Sequence, residues 1–195
     1  MYRKVSVAIM MKSVPNILTV GRVFLIPILI ASFYLEGRTS YYVATAIFIF
    51  ASITDYFDGF IAKLYKAQSA FGRMLDPIAD KMLVASALVM LIEFDRVHVL
   101  PAIAILCREI LVSGMREYMA ELKVSIPVSN LAKLKTSTQM VAISLLLLGD
   151  EGTGLKFIPI LGTILIWLAA VLTIFTGYLY CKQGFKQCID TQQEL

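Results

Sequence analysis

What this chain has little of narrows its reading first. In 195 residues it has one histidine, His98, and three cysteines, Cys107, Cys181 and Cys188. A lone histidine rules out histidine-based metal clusters and a Ser-His-Asp triad built on a local histidine. The cysteines show no CxxC or Cys/His spacing, and an odd, scattered count argues against both a disulfide framework and zinc. They read as small buried apolar residues. Charge is also scarce, at 16% of residues against about a quarter in ordinary soluble domains. The net charge of +4 is modest and fits cytoplasmic loops better than a nucleic-acid surface. No internal repeat, low-complexity segment or cleavable signal peptide is apparent. Residues 1–14 instead carry Arg3, Lys4 and Lys12 around Val5, Val7, Ile9 and Met10, the pattern of an interfacial amphipathic helix.

What is present is apolar: 58% of the residues are hydrophobic. Six stretches of about 20 residues are long enough to span a bilayer. They fall near Ile17–Leu35, Tyr42–Ala62, Ile78–Phe94, Val99–Glu121, Leu134–Leu148 and Phe157–Tyr180. The expectation is an all-α membrane protein of six transmembrane helices, one integral-membrane domain over 1–195. Lys and Arg gather on one side of these spans, at Arg3, Lys4, Lys12, Lys63, Lys66 and Arg73, and again at Lys123, Lys133, Lys135, Lys182 and Lys186. The opposite loops are acidic, with Glu36, Glu93, Asp95, Asp150 and Glu151. The positive-inside rule then places both termini in the cytoplasm, in the cytoplasmic (inner) membrane.

The chain is organised around Asp55 to Asp80. If a helix runs through Ile53–Lys63, then Asp55, Asp58, Gly59 and Ala62 share one face, since positions three and four apart are neighbours. Gly72, Asp76 and Asp80 stack in the same way on a second helix. A polar turn, Lys66-Ala67-Gln68-Ser69, would fold the two pairs of carboxylates together. Four anions held together repel one another unless a counter-charge is present. Hard divalent cations with oxygen ligands supply it, and Mg²⁺ in particular is held by a few carboxylates plus phosphate oxygens. Gly59 and Ala62 remove side-chain bulk from the same face. The stretch therefore reads as a metal–pyrophosphate site near the cytoplasmic ends of the second and third spans.

The residues Asp55, Asp58, Gly59, Ala62, Gly72, Asp76 and Asp80 reproduce the pattern D-x2-D-G-x2-A-R-x8-G-x3-D-x3-D. It resembles the signature of the CDP-alcohol phosphatidyltransferases at every position but one, where Lys63 replaces arginine. A bidentate phosphate contact there becomes a point-charge contact. By that resemblance, Asp55, Asp58 and Asp76 ligate two Mg²⁺ or Mn²⁺ ions. Asp80 contributes to one ion and acts as general base toward an acceptor hydroxyl. The resemblance further implies that CDP-diacylglycerol meets Gly59, Ala62, Lys63, Ser69, Gly72 and Arg73, with Asn16, Thr19 and Arg22 lining the nucleotide end. It also implies a homodimer.

Ionisable residues within hydrocarbon are costly and usually face a partner or a water-filled cavity. The fourth span carries Arg108, Glu109, Arg116 and Glu117, and the fifth is entered through Lys133, Lys135, Thr136 and Gln139. Arg108, Arg116 and Lys133 form a cationic set suited to a second, phosphate-bearing substrate. Lys133 and Lys135 cannot both face one way on a regular helix. The segments Pro15–Arg22, Arg108–Glu117 and Ala132–Thr136 are similar to the branch of the family that uses glycerol 3-phosphate. The implied reaction moves a phosphatidyl group from CDP-diacylglycerol to the sn-1 hydroxyl of glycerol 3-phosphate, releasing CMP. Other acceptors, such as an inositol phosphate, phosphatidylglycerol or serine, stand as alternatives. A cation transporter would require inverted repeats or helices broken at midplane, and neither is evident.

Overall fold

The computed structural model describes residues 19–65, 70–121 and 130–193, with side chains over 19–55, 75–120 and 131–184. The amphipathic segment, Asn16, Ser69 and the turn before it lie outside the described residues. So do the side chains of Asp58, Gly59, Ala62, Lys63, Gly72 and Arg73. Among the described residues all regular structure is helical: α1 (Thr19–Ser32), α2 (Arg38–Tyr65), α3 (Ala70–Glu93), α4 (Val99–Glu121), α5 (Asn130–Thr153) and α6 (Phe157–Gln193).

The fourth span expected from sequence coincides with α4. The second, third, fifth and sixth are exceeded, because backbone hydrogen bonding continues after the apolar run has stopped. The clearest case is α3, which begins at Ala70 and carries Gly72, Asp76 and Asp80 in its first half. α5 overruns the expected Leu148 through Gly149, whose φ of 60° marks a break in the helix. Only glycine suits that position, since a Cβ would also sit 3.1 Å from the Tyr41 ring.

Helix α5 packs along α6 and against α2, and α6 also packs on α4. Leu29, Phe48, Leu88, Ile105, Leu147 and Ile166, one from each helix, belong to a single buried cluster. Close approach relies on small residues: a Cβ on Gly162 of α6 would lie 2.8 Å from Leu146 Cγ of α5. At the end of the bundle beyond Leu91, Arg96 pins three elements together. Its guanidinium lies 3.9 Å from the Tyr41 ring centroid, and its Nη1 donates to the Leu147 carbonyl at 3.3 Å. Burial pulls the Arg96 pKa below its usual value, and Tyr41, Glu151 and Asp150 oppose that shift.

Many large apolar side chains are exposed. Phe24, Phe50, Ile110, Ile164 and Val171 are each more than half exposed. Two helices, α5 and α6, are long and apolar enough by themselves to cross a membrane, over Leu131–Thr153 and Phe157–Gly184. Only 33% and 28% of their apolar windows are buried, so they are not core helices of a water-soluble fold. Exposed apolar surface on this scale marks a membrane protein. The other expected spans do not pass that test: α1 is short over its described residues, and α3 and α4 carry Asp76, Asp80 and Lys81, and Arg108, Glu109 and Arg116, inside their apolar runs.

Gly162→Ala is expected to force Leu146, a fully buried side chain, to shift, lowering stability by about 1–3 kcal/mol. Gly114→Ala, where a Cβ meets nothing within 4 Å, should cause no loss. Thermal melts of both variants in detergent decide this.

Candidate active site

Helix α1 brings two buried polar side chains, Thr19 and Arg22, one turn apart, into contact with the acids of α2 and α3. Thr19 Oγ1 donates to Asp76 Oδ1. Arg22, 1% exposed, places Nη1 2.5 Å from Asp80 Oδ1 and 3.0 Å from Asp55 Oδ1. Carboxylates from two helices therefore converge on one cationic nitrogen. Sequence reasoning assigned Thr19 and Arg22 to the nucleotide end, whereas here both hold the acids. The signal for this was available, since carboxylates placed within the helices of so apolar a chain call for a cation nearby.

The acids fit divalent metal by their chemistry. They are hard oxygen donors, they lie on facing helices, and they already meet on a single positive charge. Among the described residues no group of three or more His, Cys, Asp or Glu side chains is close enough to hold an ion. The fourth acid of the motif, Asp58, lies on α2 one turn beyond Asp55, with its side chain outside the described part.

A cavity of about 220 Å³ opens beside these acids, lined by Asp55 of α2, Asp80 and Lys81 of α3, Glu109 and Arg116 of α4, and Gln139 of α5. Lys81 Nζ donates to Ser113 Oγ across the α3–α4 interface. Arg116 leans toward Tyr180, its guanidinium 5.9 Å from the ring centroid. Neither Lys81 nor Arg116 has a carboxylate within ion-pair distance among the described residues. A larger, mostly apolar groove of about 770 Å³ runs between α2 and α5 past Ile49, Ile53, Val141 and Leu145. It shares Asp55, Thr136 and Met140 with the polar cavity, so the two are adjacent.

The expected cationic set is divided by the fold. Arg116 lines the cavity. Arg108 turns away, 3.4 Å from Glu109 Oε1 and 3.5 Å from Thr176 Oγ1. Lys133 is exposed and lines no part of the cavity. Lys135 is the inward lysine, 1% exposed, and donates to Glu109 Oε1. It thereby neutralises the one acid that α4 contributes to the cavity. Sequence reasoning missed Lys81 and Gln139. Lys81 did carry a signal: a lysine directly after an acid within an apolar run is costly without a polar cavity to face.

An all-helical bundle with a lipid-facing exterior, holding Asp55, Asp76 and Asp80 at the spacing of one motif, defines a membrane-embedded acid cluster beside a mixed-charge pocket. The chain matches the family model for CDP-alcohol phosphatidyltransferase over residues 12–175, and it belongs to that family. It is 49% identical over 178 residues to a protein of Rickettsia typhi, covering 91% of this chain and 98% of that one. It is 38% identical over 185 residues to a protein of Haemophilus influenzae, covering 93% and 98%. Each of these relatives is named CDP-diacylglycerol–glycerol-3-phosphate 3-phosphatidyltransferase.

Removing the buried cation should leave Asp55 and Asp80 to repel one another. Arg22→Ala is expected to lower stability by about 2–4 kcal/mol. Part of that loss should return in the double variant Arg22→Ala/Asp80→Asn, with a coupling of about 1–3 kcal/mol. Denaturant titration of the four proteins of this cycle measures it; simple additivity would contradict the pairing.

Proposed function

We propose that this protein transfers the phosphatidyl group of CDP-diacylglycerol to the sn-1 hydroxyl of glycerol 3-phosphate, giving phosphatidylglycerophosphate and CMP. One observation carries the reading beyond family membership: the cavity that holds Asp55 and Asp80 also holds Lys81 and Arg116, two cations without carboxylate partners among the described residues. A small acceptor with its own phosphate needs both ends, one for its hydroxyl and one for its anion. Serine or unphosphorylated glycerol would leave the cations idle. The two most polar walls thus meet the demands of a phosphorylated polyol, and the adjoining apolar groove between α2 and α5 suits the acyl part of the lipid donor.

Divalent cations, Mg²⁺ or Mn²⁺, held by Asp55, Asp58, Asp76 and Asp80 supply neutralisation of the donor's pyrophosphate when bound. Asp80 accepts the proton of the acceptor hydroxyl. The hydroxyl oxygen then forms its bond to the phosphatidyl phosphorus as the bond to the CMP oxygen breaks. Lys81 and Arg116 hold the acceptor phosphate, and Arg116 offers it a planar fork of donors. Lys135 and Arg108 keep Glu109 neutralised rather than meeting substrate. Gly59, Ala62, Lys63, Ser69, Gly72 and Arg73, with Asn16, form the CDP-binding side by their places in the sequence, within the motif or beside it. Thr19 and Arg22 position the acids. Six spans, a single domain over 1–195, a homodimer, and an inner-membrane location with the site and both termini cytoplasmic complete the reading. The positive charge of the loops beside the motif supports that orientation.

Release of CMP by purified protein in mixed micelles tests this. Asp55→Asn and Asp76→Asn are expected to lose nearly all turnover while remaining folded; substantial CMP release at saturating Mg²⁺ would refute the metal roles. Arg116→Ala and Lys81→Ala should each raise the KM for glycerol 3-phosphate roughly 30- to 1000-fold, with little effect on the KM for CDP-diacylglycerol. Lys133→Ala should leave both unchanged, because that side chain is exposed and lines no part of the cavity.

A further inference from the structure

Gln139 lines the same cavity from α5 and takes no part in balancing its charges. Its side chain is 3% exposed, and Oε1 is buried with no hydrogen-bond partner. A buried amide oxygen without a donor is disfavoured, and native structures rarely tolerate one without a reason. Of the other polar groups along the cavity, Lys81 and Arg116 are cations that offer only donors, and the rest are partnered within the protein. Thr136, one turn earlier on α5, donates to the Ala132 carbonyl at 3.0 Å. Lys81 donates to Ser113, Glu109 receives Lys135, and Asp55 and Asp80 receive Arg22. Gln139 is the neutral acceptor that the described part of the cavity leaves unused.

We propose that Gln139 is a specificity-determining residue that reads the second hydroxyl of the acceptor. This inference rests on the reading of the acceptor as glycerol 3-phosphate. That molecule has one hydroxyl to attack with, one phosphate, and a further hydroxyl on the carbon between them. With the attacking oxygen at Asp80 and the phosphate at Lys81 and Arg116, the middle hydroxyl donates to Gln139 Oε1. An acceptor lacking that hydroxyl strands the buried oxygen, and a site built to bind a hydroxyl rejects such an analogue more strongly than an apolar pocket rejects a missing methylene. The amide thus orients the polyol, so that its end carbon rather than its middle carbon presents an oxygen to phosphorus. Gln139 makes no bond in the reaction; it positions the group that does.

The test compares glycerol 3-phosphate with 3-hydroxypropyl phosphate, the analogue without the middle hydroxyl, using the full chain in mixed micelles and CMP release as readout. Wild-type protein is expected to show a kcat/KM roughly ten- to a hundredfold lower for the analogue. Gln139→Met, which preserves length and volume, is expected to close that gap by losing efficiency on glycerol 3-phosphate alone, with the KM for CDP-diacylglycerol unchanged. Thr136→Val should keep the gap, and its failure to do so would overturn the assignment even if the Gln139 variant did not fold. Equal use of both acceptors by the wild type, or an equal loss on both in Gln139→Met, would overturn the role of Gln139 and leave the acceptor reading standing. No CMP release from the wild type with either acceptor would overturn both.

Discussion

The contact on which the rest depends is the one between Arg22 and the two carboxylates, Asp55 and Asp80. It joins α1 to α2 and α3 by charge where apolar packing alone would not. Without a cation the acids would repel one another and would be driven toward the neutral form by desolvation. With it they are held close together and remain partly open to the cavity. Thr19, one turn earlier on α1, does the same for Asp76 through a hydroxyl. Helix α1 thereby touches all three of Asp55, Asp76 and Asp80.

The second constraint is the medium. The outer surface is made of residues such as Phe24, Ile110 and Val171, which lose nothing by facing lipid. Every charge within the apolar runs must then find either a partner or the cavity. The fold uses both solutions. Glu109, Lys135 and Arg108 satisfy one another between α4 and α5, with Thr176 of α6 at their edge. Lys81 and Arg116 face the open space instead. This division separates cations that hold the bundle together from cations that border the cavity, and the two kinds are adjacent: Lys135 directly precedes Thr136 and lies one turn from Gln139, which both line the cavity. An apolar groove meets the polar cavity at Asp55, where the lipid and water-soluble halves of a reaction of this class have to meet.

Much of this could be read from the residues alone. The apolar runs located each helix of the described residues, and α4 was bounded as observed. The acid spacing pointed to a shared face, because residues three and four apart on a helix are neighbours, and Asp55 and Asp80 do line one cavity. The ends of α3 and α5 were misplaced, since hydropathy records where apolar residues stop while a helix continues as long as its backbone bonds are made. Pro77, between the two acids of α3, did not stop that helix. The two-residue spacing of Lys133 and Lys135 showed that they cannot face one way, and in the bundle Lys135 is buried while Lys133 is exposed.

The sequence by itself determined the all-helical class, the lipid-facing composition, the sharing of faces by the acids and the costliness of the charges among them. Only the tertiary structure decided which face of each helix turns inward: that Arg22 meets the acids, that Lys135 meets Glu109, and that Lys81 and Gln139 border the cavity. Helical periodicity fixes angles within one helix. The rotation of a helix about its own axis is set by its neighbours, through contacts such as Gly162 against Leu146 that join residues distant from the site, and no local pattern encodes it.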